Sequence, residues 1–250
     1  METELTFTQF DRMTEKYPDR PAIIYLGEKF TYARLQNLIN RFGTALNRLG
    51  VRKGDKVVLY VTNSAQWVIA FFAIQKIGAV VVPVAPIYTS FEIEYMINDS
   101  GAETIICLDT NFGYVQDVFS KTCLKRTIVT NLVDLLPLWK RTVGFLFDKI
   151  PNGIVKKGEN VYFFKDLIKQ SPDKLNVEID PWKDLSYILY TGGTTGFPKG
   201  VPGNHMGMTS YVKDVMEDVA GGYIEEGKDT YIAINPLSTL WPLGYLSPLA

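Results

Sequence analysis

Between residues 20 and 110 the hydrophobic positions alternate between two periods. Ala22-Ile-Ile-Tyr-Leu26 and Lys29-Phe-Thr-Tyr32 are short apolar runs either side of Gly27-Glu28, and they predict a hairpin. Leu35, Leu38, Ile39, Phe42, Leu46 and Leu49 then recur at helical spacing, and Gly50 stands where a helix stops. Lys56 to Thr62 reads as a strand, and Ser64 as the cap of a helix running through Trp67, Ile69, Phe71, Phe72 and Ile74 to Gly78. That helix is apolar around most of its circumference, which predicts burial on several sides. It is too short and interrupted to span a membrane. Ala79-Val-Val-Val-Pro-Val84 is a continuous apolar run, the pattern of a strand covered on both faces. Ser90 to Ser100 reads as a helix, Thr104 to Leu108 and Thr127 to Thr130 as strands. Strands and helices alternating in this way predict an α/β fold with a mostly parallel sheet flanked by helices.

The rhythm breaks between 131 and 175. Leu135-Leu-Pro-Leu-Trp-Lys-Arg-Thr-Val-Gly-Phe-Leu-Phe-Asp-Lys-Ile150 mixes bulky apolar groups with Lys140, Arg141 and Lys149. Two readings stay open: an interfacial amphipathic segment making peripheral membrane contact through 135–150, or an insertion folded back onto the domain. Tyr162 to Ile168 reads as a short helix, and Ser171-Pro172-Asp173 with Asp180-Pro181 as a link. The expected organisation is a first α/β subdomain over 1–183, with its insertion near 131–175, and the start of a second over 184–250.

In the second region, Leu185-Ser-Tyr-Ile-Leu-Tyr190 is a strand followed by Thr191-Gly-Gly-Thr-Thr-Gly-Phe-Pro-Lys-Gly200, with a helix expected from Asn204. Gly192, Gly193 and Gly196 let the backbone approach a ligand closely and turn N–H groups toward one point. Thr191, Thr194 and Thr195 add hydroxyls, and Lys199 adds a mobile cation. This set suits a phosphate chain, although composition alone fits an ordinary surface turn as well. Pro198 before Lys199 and Gly200 after it break the P-loop template, and the Gly-x-Gly-x-x-Gly dinucleotide pattern is absent. Beyond the loop, Met208, Tyr211, Val212, Val215, Met216 and Val219 form a helical stripe of core type, and Asp229 to Asn235 reads as a strand. Pro236 to Gly244 opens as a helix, and the chain stops at Leu249-Ala250 inside that apolar stretch, so more of the fold is expected beyond it.

Composition narrows the function. The chain has 250 residues, 46% of them hydrophobic, and a net charge of −1, which argues against general nucleic-acid binding. Cys107 and Cys123 lack metal-ligand spacing; ordinary packing in a reduced cytoplasmic compartment is expected for both. The acidic N-terminus has no signal-peptide pattern. His205, the single histidine, reads as polar packing at a helix start, not as a catalyst.

Residues 190–200 resemble the phosphate-loop signature Tyr-Thr-Ser-Gly-Thr-Thr-Gly-x-Pro-Lys-Gly of the adenylate-forming family: acyl- and aryl-CoA synthetases, peptide-synthetase adenylation domains and luciferases. Phe30 to Leu35, Leu49 to Val57, Lys76 to Val84 and Glu94 to Gly101 resemble further signatures of that family, and Asp229 to Gly244 is similar to the segment leading into its acyl pocket. The resemblance implies the N-terminal portion of the family's large domain. It also implies a two-step reaction: a carboxylate attacks the α-phosphorus of ATP to give an acyl-adenylate and pyrophosphate, then a thiol, usually coenzyme A, displaces AMP. It gives Thr191, Gly192, Gly193, Thr194, Thr195, Gly196 and Lys199 the ATP phosphates, Thr191 a place facing Mg2+, and Thr239, Trp241 and Gly244 the acyl pocket. Two departures stand out: Gly192 replaces the usual serine, and Ser238 and Thr239 stand where an aromatic residue and a histidine often follow Pro-Leu. The family's catalytic lysine, its ribose-binding aspartate and its magnesium-binding glutamate match nothing in 1–250, so this chain by itself is expected to be inactive. The substrate reading is a medium- or long-chain fatty acid, with oligomeric state open. Aryl or short-chain acid ligation, acyl loading of a carrier protein, and a non-catalytic nucleotide-binding remnant are the alternatives.

Overall fold

A computed structural model describes residues 5–146, 150–191, 197–214 and 232–239. The chain opens with helix α1 (Thr6–Lys16), which turns Phe10 and Met13 inward. The predicted hairpin follows as β1 (Pro21–Tyr25) and β2 (Glu28–Thr31), paired antiparallel with Tyr25 opposite Glu28. Its two-residue turn has positive φ at both Leu26 (48°) and Gly27 (69°), the mirror-image turn that matches strand twist. Helix α2 (Tyr32–Arg48) starts where the Thr31 hydroxyl accepts from the Arg34 amide.

Next come β3 (Lys56–Tyr60), α3 (Ala65–Lys76) and β4 (Val80–Pro83), then α4 (Ser90–Ser100) and β5 (Thr104–Leu108). A single turn of 3₁₀ helix leads into α5 (Phe112–Phe119), then β6 (Arg126–Thr130), α6 (Leu138–Leu146), β7 (Val161–Phe163) and α7 (Phe164–Leu167). The last described elements are β8 (Leu185–Tyr190), β9 (Gly200–Asn204) and α8 (His205–Asp214). The main sheet has the order β7-β6-β5-β3-β4-β8-β9, parallel throughout except for the antiparallel β8–β9 pair.

Strand side chains split by parity between two cores, as a sheet buried on both faces requires. Val57 and Leu59 of β3 join Ile106 and the helices α1, α2 and α3 on one face. Val58 and Tyr60 join Ile105, Cys107 and the helices α4 and α5 on the other. Helix α3 is buried from Ala65 to Gln75, as its all-round apolarity predicts. Among the described residues no helix is long and apolar enough to cross a membrane.

Several expectations are corrected. Tyr162 to Ile168 is not one short helix but the edge strand β7 followed by a single helical turn. The helix expected from Asn204 is preceded by a strand, β9, so the loop at 191–199 caps a hairpin and does not lead straight into a helix. Residues 232–234 are irregular and 235–239 bend and turn, where a strand ending at Asn235 is expected. Trp241, Gly244 and the stripe positions from Val215 to Val219 lie outside the described residues. Strand β8, which follows the expected 183/184 division, lies beside β4, with Tyr187 opposite Val81. Cys107 is buried, and desolvation pushes its thiol up; Cys123 is exposed, contrary to the packing expected for both.

The 131–175 segment is folded back onto the domain. Lys140 Nζ donates to Gly27 O and Glu28 Oε2, both at 3.1 Å. Gly153 N donates to Asp109 Oδ2 at 3.1 Å, and Arg48 pairs with Asp173 at 2.8 Å.

Candidate active site

The site begins with a strand whose carboxyl end lies on the same edge of the sheet as those of β3, β4 and β5. In open α/β sheets that edge is where ligands bind. Strand β8 is fixed there by polar contacts. Gln75 Nε2 of α3 donates to Ser186 Oγ at 2.7 Å in the interior, and Lys53 Nζ stands 2.6 Å from Asp184 Oδ2. Beyond Tyr190 the chain leaves the sheet and returns at Gly200, opposite Tyr190 in the β8–β9 ladder.

The loop is closed at its neck. Thr191 N donates to Lys199 O at 3.1 Å, and Lys199 N lies 3.4 Å from Thr191 Oγ1. Thr191 and Lys199 are thus brought together, both exposed, and Lys199 makes no ion pair with a described residue. Gly192, Gly193, Thr194, Thr195 and Gly196 lie outside the described residues.

Helix α4 holds both flanks of the loop with one stripe. Phe91, Tyr95 and Asp99 are spaced i, i+4, i+8 and so share a face. Tyr95 stacks on Phe197 with ring centres 4.7 Å apart, Phe91 adds a second contact at 5.9 Å, and the Tyr190 hydroxyl donates to Asp99 Oδ2 at 2.7 Å. Burial, reinforced by the Asp99 carboxylate, pushes the Tyr190 phenol up, so it stays a neutral donor. The helix is held by a capping box in which Glu92 Oε2 accepts from the Thr89 amide at 2.8 Å; the bonds from Thr89 hold the Glu92 carboxyl below its ordinary range. The sequence reading missed this stripe. Its only signal was two aromatics and a carboxylate at helical spacing, with nothing to say what they face.

Gly203 in β9 is required by close approach: a Cβ there would collide with the Tyr187 ring. Asn204 Oδ1 accepts from Gly207 N at 2.7 Å and so caps α8. His205 follows, 1% exposed, with both ring nitrogens unpaired and its ring edge-on to Phe7. Desolvation lowers its pKa to about 4, so the ring is neutral near pH 7 and packs, as expected, with no catalytic geometry around it.

A second strand end contributes Asn63, between β3 and α3. Its Nδ2 donates to Asn235 O and its Oδ1 accepts from Leu237 N, both at 2.8 Å. This one side chain ties residues 235–237 to the edge where the loop emerges. Sequence reasoning did not single it out. Thr239, two residues on, is exposed and donates to Pro236 O at 3.0 Å. Ser238 Oγ is buried without a partner.

This edge can bind an anionic chain: an exposed lysine and an exposed threonine hydroxyl stand together on it. For magnesium, the Thr191 hydroxyl keeps a free lone pair, while no cluster of three or more acidic, histidine or cysteine ligands occurs among the described residues. A single hydroxyl suits a metal that takes one protein oxygen and would draw its other ligands from water and phosphate.

Comparison with known proteins agrees with this architecture. The model of the family described as AMP-binding enzyme matches residues 10–248. A long-chain-fatty-acid–CoA ligase from Escherichia coli O6:H1 is 32% identical over 244 residues, covering 94% of this chain and 42% of that protein. One from Bacillus subtilis is 30% identical over 234 residues, covering 91% and 41%. Among solved structures, a long-chain-fatty-acid–CoA ligase from Archaeoglobus fulgidus superposes with a TM-score of 0.77 at 24% identity, over 98% of this chain and 45% of that one. The acetoacetyl-CoA synthetase of Streptomyces lividans gives 0.80 at 18% identity, over 98% and 37%. At those identities the two structures speak to fold alone. The chain spans 41–42% of the length of these two curated relatives. Matched to the family model over nearly its whole length, the chain belongs to the AMP-binding enzymes.

Proposed function

We propose that this protein activates a medium- or long-chain fatty acid by adenylation and passes the acyl group to coenzyme A. The observation that carries the reading is the loop neck, Thr191 against Lys199, held on α4 at the carboxyl edge of the sheet. The substrate class rests on the curated relatives, which are long-chain-fatty-acid–CoA ligases.

The chemistry follows from charge. Attack of a carboxylate oxygen on the α-phosphorus of ATP breaks the bond to the bridging oxygen, and the electron pair leaves with pyrophosphate. Donors already aimed at that growing charge stabilise the transition state without reorganising. The backbone amides of Gly193 and Gly196 and the hydroxyls of Thr194 and Thr195 serve the β- and γ-phosphates, and Lys199 neutralises the leaving pyrophosphate. Gly192 supplies no hydroxyl, so more of the hold falls on the threonines. Thr191 would hold magnesium, which would supply neutralisation of phosphate charge. Thr239, Trp241 and Gly244 line the acyl pocket, with Asn63 fixing the segment that bears them. Helix α6 makes the peripheral lipid contact from which an amphiphilic acid is collected.

Pyrophosphate exchange with acids of graded length tests the reading. Exchange rising with chain length supports it; exchange confined to aryl or short acids overturns the substrate class. Lys199→Ala is expected to lower adenylate formation by about a hundredfold or more. An unchanged rate removes the loop from the mechanism.

A further inference from the structure

Helix α6 is packed inside out. Its charged residues face the protein: Lys140 is only 22% exposed and pairs with Glu28, and Arg141 Nε is buried without a hydrogen-bond partner. Its apolar residues face outward, with Leu138 76%, Trp139 65% and Leu146 75% exposed, and Val143 on the same side. Helices on a water-facing surface normally show the reverse. The Lys140 bond to Gly27 O sets the β1–β2 turn, with exposed Leu26, beside this helix.

Behind α6 lies an open pocket of about 560 Å³ between α2, α6 and α7. Its lining includes Arg41, Arg141, Lys165 and Lys169 around Leu38, with Asp134 as the one carboxylate. Asp134 is engaged by Asn131 N at 2.9 Å and by the Thr130 hydroxyl at 3.0 Å. Lys169 pairs at the rim with Asp166, and Arg41 is steadied by the carbonyls of Lys169 and Gln170. Two positive charges remain in excess, and the unpaired Arg141 Nε belongs to a residue of the same lining. The volume lies within the range of about 300–1,000 Å³ typical of small-molecule sites. The pocket is not the ATP site: five strand spacings separate β7 from β8, about 24 Å across the sheet.

We propose that α6 and this pocket form one docking surface for an anionic phospholipid membrane. The outward Leu138, Trp139, Val143 and Leu146 enter the headgroup layer, and the pocket behind them takes a lipid phosphate on Arg141, Arg41 and Lys165. This rests on, and narrows, the reading that α6 touches lipid. An apolar surface alone would join any bilayer; the cationic pocket selects an anionic one, because juxtamembrane basic residues are drawn to the negative surface.

The test is vesicle sedimentation of the full-length protein with phosphatidylcholine alone and with phosphatidylcholine containing phosphatidylglycerol. Preferential binding to the anionic vesicles is expected, weakened by salt. Arg141→Gln and Arg41→Gln should each lower that binding about fivefold and leave binding to neutral vesicles unaltered. Arg141→Lys retains the charge and should retain most of the binding, which separates loss of charge from loss of fold. Leu138→Ser and Leu146→Ser should lower binding to both vesicle types. Trp139 emission should shift to the blue on binding, by difference from Trp139→Phe. Equal binding to both vesicles overturns the headgroup pocket while leaving the α6 lipid contact standing. No binding to either overturns both. Adenylation of a water-soluble acid, followed in parallel, should be the same in wild type and Arg141→Gln, so a failed membrane result leaves the enzymatic reading separately testable.

Discussion

His205 shows how one residue's surroundings set its chemistry. Packed against Phe7 with neither ring nitrogen bonded, it is held neutral, with a pKa of about 4 in the fold against 6.5 in an unconstrained chain. The depressed value means the unfolded chain takes up a proton first. Stability is therefore complete above pH 6.5 and falls as pH drops toward 4, by up to roughly 3 kcal/mol from this residue. His205→Phe should flatten that part of the pH–stability curve; denaturant titrations of both proteins at pH 7 and pH 4.5 read the difference. An equal slope in the variant would show that the ring is solvated. At this scale the sequence was informative about residue type and silent about partner. Lys199 and Thr191 stood out because glycines and hydroxyls surround them. Asn63 did not, because a single asparagine after a strand is ordinary until the segment it clips, 172 to 174 residues later, is placed beside it.

At the scale of elements, α4 acts as the loop's backboard, and its two contacts make separate demands. Tyr95→Ala removes the stacking surface under Phe197 and should slow adenylate formation about tenfold through misplacement of the loop. Folding stability should drop by no more than a few kcal/mol, because Tyr95 is only partly buried. Parallel measurement of pyrophosphate exchange and thermal unfolding checks this; loss of stability without loss of rate would make Tyr95 a packing residue only. Elements with strong periodicity were legible, and weakly patterned ones were not. Helices α2 and α3 and strands β3 to β6 emerge close to where spacing puts them, because each helix carries a long apolar pattern and each strand an unbroken apolar run of two to four residues. Helix α1 has little apolar content beyond Phe7, Phe10 and Met13, and its burial depends on α2 and α3 already being in place. Strand β9 reads Gly-Val-Pro-Gly-Asn, a composition that belongs to turns; only its ladder with β8 makes it a strand. Tyr162 to Ile168 divides between strand and helix because an edge position on β6 captures its first two residues together with Val161.

Over the whole molecule, a single sheet runs from β7 to β9 and carries two cores. Its protection against exchange should be graded from the centre outward. Amides of β3 and β5, flanked by strands on both sides and helices on both faces, should exchange only through global unfolding. Those of β9 should open locally, several kcal/mol more easily. Hydrogen exchange resolved by residue tests this, and equal protection of β9 and β3 would contradict it. The split at 183/184 expected from the linker composition does not coincide with a sheet boundary. A linker rich in Ser, Pro and Asp marks a long crossover as readily as the end of a folding unit.

Because the grip on both flanks of the 191–199 loop comes from α4, nearly a hundred residues upstream, the β8–β9 hairpin is not a portable cassette. Grafted onto a foreign scaffold without Phe91, Tyr95 and Asp99, the same eleven letters from Tyr190 to Gly200 would keep their spelling and lose the anchors at Phe197 and Tyr190.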